Sequence, residues 1–297
     1  MKVALFGRGA QIFNNEKLQL LTESLKTVEG LEICCYTPLF DYFYRALGGR
    51  CRITSFSDFD TLPSDTSFLL SLGGDGTFLE SLTVVRDSNI PVAGINFGRL
   101  GFLTTACVDS QNSWLQDLQR GSFGIDERTL LQIRSENSSV VPKDFYPVAL
   151  NEITVQRSNP IMLEIEISVN GEPLPHYMAD GILIGSATGS TAYSLSIGGP
   201  IVTPDSKVLI IAPIAPHNLN VRPIIVPETS VVELCYSTRS DRALLTADNR
   251  SFSLPKRERL VISRAEYRLR SISINNNFMQ ALSQKLLWGE DKRNMLR

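Results

Sequence analysis

Two hydrophobic periods follow one another along the chain. KVALFG (2–7) is a short apolar run closed by glycine, the pattern of a buried strand, and NNEKLQLLTESLKTVEG (14–30) sets Leu18, Leu21 and Leu25 at helical spacing before a glycine stop. LEICCYT, DYFYRALGG and RCRITSF repeat the theme. SFLLSLGGDG (67–76) predicts a strand running into a tight turn, TFLESLTVVRDS a helix, PVAGINFG (91–98) another strand, and VDSQNSWLQDLQRG (108–121) a helix closed by Gly121. Strands alternating with helices imply a mostly parallel sheet covered on its faces, with ligand sites where the strands end.

After about residue 122 the period becomes two. In MLEIEISVNGEPLPHYMADGILIGS, Leu163, Ile165, Ile167 and Val169 fall on one face, and Asn170-Gly171 is a strong hairpin-turn signal. FGIDERTLLQIRS, FYPVALNEITVQR, VLIIAPIAP, PIIVP, VVELCYS and LVISRA read as further strands, with prolines marking turns and edges. NNFMQALSQKLLWGEDKRN (276–294) is helical again, with Phe278, Leu282 and Leu286 in register. The expected fold is α/β plus all-β: an N-terminal Rossmann-like α/β domain (1–124), a C-terminal all-β, β-sandwich-like domain (125–274), and a helical tail (275–297) returning to the first domain.

Composition narrows the partners. The chain has 297 residues, 43% hydrophobic and 20% charged, enough for two domains with real cores. A net charge of -2 gives no general attraction to nucleic acid or anionic membrane, so small molecules and copies of the same chain are the expected partners. Five cysteines, odd in number and without a C-x-x-C pair, suggest neither a disulfide framework nor a zinc site, so reduced thiols and a cytoplasmic location are expected. MKVALFGRGAQ suits a first strand better than a signal peptide, and no run approaches the roughly 18 apolar residues of a membrane span. His176 and His217 are too few for a His-rich metal site and read as structural. The apolar runs VLIIAPIAP and PIIVP exceed what one small helical domain could cover, which predicts a homo-oligomer, a tetramer or dimer.

Four stretches carry chemistry. A glycine turn between a strand and a helix, as in GGDGT (73–77), brings backbone N–H groups and a helix N-terminus to phosphate. Asp75 inside it would repel phosphate unless a metal bridges them or it takes a proton from an attacking hydroxyl; otherwise D-G is a surface turn with Thr77 as helix cap. GINFGRLGFLT (94–104) offers three glycines and, in Phe102, a flat apolar wall for a ring. ALNEITVQR (149–157) sets Asn151 and Glu152 in an apolar strand. MADGILIGSATGSTAYSLSIGGPIVTP (178–204) supplies many hydroxyls and glycines with little bulk, a surface for a polar, phosphate-bearing ligand. There is no G-x-x-x-x-G-K-[ST] and no G-x-S-x-G, and Gly7-Arg8-Gly9 begins a dinucleotide fingerprint that fails at Ile12.

In this order GGDGT, N-x-G-x-L-G-F-L-T, N-E and D-G…TGSTAYSLSIGGP resemble the NAD kinase family over most of the chain. GGDGT alone is shared with diacylglycerol and sphingosine kinases and, more loosely, phosphofructokinases; the hydroxyl-rich segment and Asn151-Glu152 narrow the resemblance. PHNLNVRP (216–223) and KLLWG (285–289) are similar to further family elements. Where the family usually reads D-G-Q or D-G-R, this chain has Asp248-Asn249-Arg250, and asparagine in the left-handed conformation should preserve that turn.

The resemblance implies phosphorylation of the adenosine ribose 2′-hydroxyl of NAD by ATP, giving NADP, with a divalent cation, usually magnesium. On that basis Asp75 accepts or orients the hydroxyl proton while the backbone of Gly74, Asp75 and Gly76 faces the phosphates. Asn151 is implied near the adenine, Glu152 near ribose or metal, and Phe102 against the adenine. Thr188, Thr191, Ala192, Tyr193 and Ser196 line the same pocket. Asp180 and Ala215 lie near the nicotinamide end, which a neighbouring subunit completes. Two alternatives stay open: a lipid kinase of the same superfamily, which needs an apolar pocket instead of the hydroxyl-rich segment, and a non-catalytic NAD(P)-binding regulator, which has no use for Asp75.

Overall fold

The computed structural model describes residues 1–13, 15–98, 101–108, 113–137, 140–218, 220–274 and 278–286. Contacts divide the chain into two compact units, Met1–Asp126 with the stretch from Arg270 onward, and Glu127–Leu269.

In the first unit, strands β1 (Lys2–Phe6), β2 (Glu32–Tyr36), β3 (Arg52–Phe56), β4 (Phe68–Leu72) and β5 (Val92–Asn96) lie parallel in the order β3-β2-β1-β4-β5. Leu269–Ser273 and Gly124–Arg128 extend the sheet beyond β5. Every residue of β4 and β5 is buried, which is why both read as unbroken apolar runs. Helix α1 (Asn15–Lys26) buries Leu18, Leu21 and Leu25, the face its spacing predicts; the expected start at residue 14 lies outside the described residues. Helices α2 (Thr37–Leu47) and α3 (Asp75–Val85) bury Leu39, Phe43, Leu47 and Phe78, Leu82, Val85. The helix expected over 108–121 is described from Ser113 to Arg120, and Gly121 ends it at φ 68°.

The strand order marks where a sheet of this kind can take a ligand. From β1 the chain runs outward through β2 to β3, then returns so that β4 lies on the other side of β1. The connections leaving β1 and β4 therefore diverge, and the crevice outside their carboxyl ends is the switch point where such sheets take ligands. Gly7–Gly9 follows β1 there and Gly73–Gly76 follows β4.

The C-terminal helix Phe278–Leu286 belongs to this unit, with Ala281 and Leu282 buried and the Phe278 ring 6.3 Å from that of Phe102. Leu286, expected on the same face, is 39% exposed because the packed stripe is Phe278, Ala281 and Leu282 and ends one turn earlier. The remainder of the expected tail, 287–294, and most of KLLWG lie outside the described residues.

Among the described residues, the second unit is an antiparallel sheet of eleven strands built on the long hairpin Val232–Ala247/Arg250–Arg264. A register irregularity between Ser237 and Arg242 divides the first of these strands: its early half pairs with Leu163–Val169 and its late half with Glu152–Arg157. Leu163, Ile165 and Ile167 point inward while Glu164 and Glu166 are exposed, the alternation read from the sequence. Asn170 and Gly171 turn at φ 53° and 84° between the paired Val169 and Glu172, the predicted two-residue hairpin. Asp248-Asn249 likewise closes a two-residue turn between Ala247 and Arg250, with Asp248 taking the left-handed conformation, φ 52°. Val208–Ile214, expected to need cover from another chain, is buried within the unit on both faces; Ile225 on the neighbouring edge strand remains 48% exposed.

Candidate active site

The α3 helix begins at Asp75, not at Thr77, with Gly74 as its N-cap. The Thr77 N–H donates to the Gly74 carbonyl at 3.0 Å, so Thr77 lies within the first turn and the surface-turn reading of D-G is set aside. Gly73 sits at φ 147°, and a side chain there would collide with Thr77 Oγ1. Its N–H donates to Ile95 at 2.9 Å, tying the turn to β5.

Asp75 is held by the other glycine-rich stretch. Oδ2 accepts the Phe102 N–H at 2.8 Å and Oδ1 the Leu103 N–H at 3.0 Å. Gly101 packs so tightly on Oδ1 that a Cβ would overlap it, which explains the glycine. GGDGT and GFLT are thus one site, although Arg99 and Leu100 of the second stretch lie outside the described residues. Two cations stand by it that the sequence did not reveal. Lys285 Nζ is 4.0 Å from Asp75 Oδ2 and 4.0 Å from the centre of the Phe102 ring. Arg8 is bound in bidentate fashion by Glu80 of α3, and its Nη2 is 3.8 Å from the point where a Gly76 Cβ would stand.

In the second unit, Asn151 and Glu152 are 7% and 8% exposed, so they do not sit on a solvated face. Their backbone is gathered by a residue far along the chain: the Asp248 carboxylate accepts the N–H groups of Leu150, Asn151 and Glu152 at 2.9, 2.7 and 3.4 Å. That side chain is wholly buried, with Arg250 at 3.7 Å. Arg250 in turn donates to the carbonyls of Tyr146 and Val148 at 2.6 and 2.5 Å. The sequence showed Asp248 as a turn residue only.

Gly189 approaches the Asn151 carbonyl so closely that a Cβ would overlap it, and the Ser186 N–H donates to the same carbonyl at 2.8 Å. The hydroxyl-rich segment is ordered: strand Gly181–Ser186, one 3-10 turn Thr188–Thr191, one helical turn Tyr193–Ser196. Ser186 and Ser190 spend their hydroxyls on Leu150 and Val202. Thr188 is buried, Thr191, Ala192 and Tyr193 are partly exposed, and Ser196 is exposed. The Tyr193 N–H reaches the Glu152 carboxyl, so Asn151, Glu152 and Thr188–Tyr193 form one cluster.

Glu152 is the unusual group of that cluster. Burial, then the neighbouring Asp248 charge, pushes its carboxyl up to about 8 against the opposing Tyr193 N–H, and Oε2 is buried without a hydrogen-bond partner. Burial also raises Asp248, but three N–H groups and Arg250 pull the other way, so of the two carboxyls Glu152 takes the proton. A protonated carboxyl carries a hydroxyl donor, and the buried Oε2 is the oxygen without a partner.

Asp180 and Ala215 are not part of that cluster. The Asp180 N–H bonds the Ile214 carbonyl at 3.0 Å, and Ala215 follows at φ 44°. Gly181 pairs with Ile214 and Ser186 with Leu209, so Asp180 and Ala215 lie at the opposite end of these strands, roughly 15 Å away at the usual strand rise. Arg157 pairs with Asp180 at 3.0 Å.

Family models for the ATP-NAD kinase N-terminal and C-terminal domains match residues 50–123 and 150–274. A protein of Christiangramia forsetii named NAD kinase is 40% identical over 99% of this chain and 100% of its own. The chain belongs to the NAD kinase family. Relatives of that name in Flavobacterium psychrophilum and Bacteroides fragilis are 44% and 36% identical, over 80% and 99% of this chain and 82% and 100% of theirs. Among solved structures, yeast NADH kinase complexed with NADH shares the fold at a TM-score of 0.83 and 21% identity, covering 98% of this chain and 89% of that one. An NAD kinase from Archaeoglobus fulgidus in complex with ATP does so at 0.72 and 23%, covering 97% and 99%. Asp75 and Phe102 fall in the family's N-terminal match and Asn151, Glu152 and Asp248 in its C-terminal one; Arg8 and Lys285 lie outside both.

Proposed function

We propose that this chain is an NAD kinase, transferring the γ-phosphoryl group of ATP to the 2′-hydroxyl of the adenosine ribose of NAD to give NADP and ADP. The observation that carries this reading is the Asp75 carboxylate at the start of α3, each oxygen accepting one backbone N–H and keeping a second lone pair. A carboxylate so fixed can take the 2′-hydroxyl proton as that oxygen bonds to the γ-phosphorus and the bridging oxygen leaves with ADP. The first N–H groups of α3, those of Gly74, Asp75 and Gly76 at the glycine turn, have no intrahelical acceptor and face the phosphates.

The same reading gives the second unit the adenosine. Asn151 reads the adenine edge, and neutral Glu152 donates to the ribose. Thr188, Thr191, Ala192, Tyr193 and Ser196 line that unit's pocket; in the first unit, Phe102 offers a flat apolar face suited to an adenine ring. Asp180 and Ala215, distant from this cluster within one chain, serve the nicotinamide end of a site completed by a neighbouring subunit; exposed Ile225, Val231, Ile161 and Met162 supply apolar surface for that contact. A divalent cation, magnesium by preference, would neutralise the charge of the nucleotide's phosphates; among the described residues there is no group of three His, Cys, Asp or Glu side chains suited to a metal ion. The five cysteines are free thiols, which supports a cytoplasmic location; no described helix is long and apolar enough to cross a membrane.

Purified protein with ATP, magnesium and NAD should form NADP, read out enzymatically, in step with ADP. NAD binding without NADP formation would instead support a binding regulator and defeat the proposal.

A further inference from the structure

Lys285 is carried to Asp75 by the C-terminal helix, and neither of its contacts uses its hydrogen-bonding capacity. A separation of 4.0 Å from Asp75 Oδ2 is beyond hydrogen-bond range, and the Phe102 face, also at 4.0 Å, attracts the charge without accepting an N–H through a lone pair. A lysine serving only to lock the carboxylate would close to about 2.8 Å. That task is already performed by the N–H groups of Phe102 and Leu103. The side chain is 20% exposed, and burial holds the ammonium below the ordinary lysine range although Asp75 opposes this. A positive charge with its N–H donors unspent therefore stands at the glycine turn.

The chemistry there needs such a charge. A triphosphate entering the turn brings several negative charges next to Asp75, and the helix terminus offsets only about half a charge. Transfer of the γ-phosphoryl group spreads charge over its three outer oxygens, and fixed donors aimed at them lower the barrier. The helix is anchored by Ala281, Leu282 and the contact of Phe278 with Phe102, so its backbone can stay in place. The four-carbon stem lets the ammonium swing by on the order of 6 Å, from the ring to an oxygen beside Asp75.

We propose that Lys285 is a further catalytic residue, resting on Phe102 and moving onto the γ-phosphoryl oxygens when ATP is bound. This rests on the NAD kinase reading, and the test separates the two. Lys285→Met, which keeps the stem on Phe102, and Lys285→Arg are compared with the parent for turnover and, by calorimetry, for ATP, ADP and NAD binding. In the Met variant turnover should fall by about 10²-fold. ATP affinity should drop roughly tenfold, with ADP and NAD affinities unchanged and Arg recovering most of the turnover. Turnover within about threefold of the parent, equal losses for ATP and ADP, or an Arg variant no better than Met would overturn the assignment. If the parent forms no NADP, the functional reading fails, and the contrast between ATP and ADP still decides the role of Lys285. Should the Met variant not fold, Lys285→Gln is read by the same criteria.

Discussion

Replacing Glu152 by glutamine removes a titration that burial makes costly. The carboxyl ionises near its ordinary value of 4.5 in the unfolded chain and near 8 in the folded one. Between those values the folded state keeps a proton that the unfolded state gives up. The stability this contributes is fully present below about pH 4.5, declines as pH rises to about 8, and changes no further above it. At about 1.4 kcal/mol per pH unit, and allowing for partial ionisation at both ends, the parent should lose roughly 3–4 kcal/mol from this group between pH 5 and pH 8. Glu152→Gln has no such loss. Whatever constant penalty the amide brings, through its fit or an unpaired N–H at the Oε2 position, is the same at both pH values and cancels in the comparison. The assay is denaturant unfolding of both proteins at the two pH values, and the stability difference should move in favour of the variant by about 3 kcal/mol on going to pH 8. Parallel pH dependences would show that Glu152 is ionised at neutral pH in the fold, and the picture of a neutral, ligand-donating carboxyl would be abandoned.

Asp75→Asn should lower turnover by at least about 10²-fold with NAD affinity nearly unchanged. Because the amide turns an N–H₂ toward the N–H of Phe102 or Leu103, its unfolding free energy should also fall, by about 1 kcal/mol; steady-state NADP formation and denaturant unfolding check the two parts. Gly101→Ala forces a methyl onto Asp75 Oδ1, so turnover should drop toward that of Asp75→Asn while calorimetric NAD binding survives, and an active variant would mean the carboxylate does not need this seat. Light scattering alongside activity at falling protein concentration should show activity lost as the oligomer dissociates, whereas a fully active single chain would remove any need for a neighbour's Asp180 and Ala215.

Much of this was legible because the deciding interactions are local. The face of α1 at Leu18, Leu21 and Leu25, the alternation from Leu163 to Ile167 and the Asn170-Gly171 turn each follow from spacing within a few residues. GGDGT was legible as a strand-to-helix turn because its glycines stand between an apolar run and a helical pattern. The contacts of Asp248 and Lys285 were not legible. Asp248 organises the Asn151–Glu152 backbone across a separation of 97 residues, and Lys285 meets Asp75 only because the C-terminal helix returns to the first unit. Val208–Ile214 shows a different limit: an unbroken apolar run is the same string whether another layer of its own chain covers it or a second chain does, and only the topology decides.

In the proposed reaction the glycine turn around Asp75 directs a phosphoryl group from ATP to the ribose 2′-oxygen of NAD. Phosphorus NMR of the product formed from ATP, magnesium and NAD tests it most directly, with the parent and Asp75→Asn run side by side. One new phosphomonoester on the 2′-oxygen should form per ADP released by the parent, and at least about 10²-fold more slowly with the variant. ATP consumed without a 2′-phosphomonoester, or the same ester formed equally fast by Asp75→Asn, would contradict it.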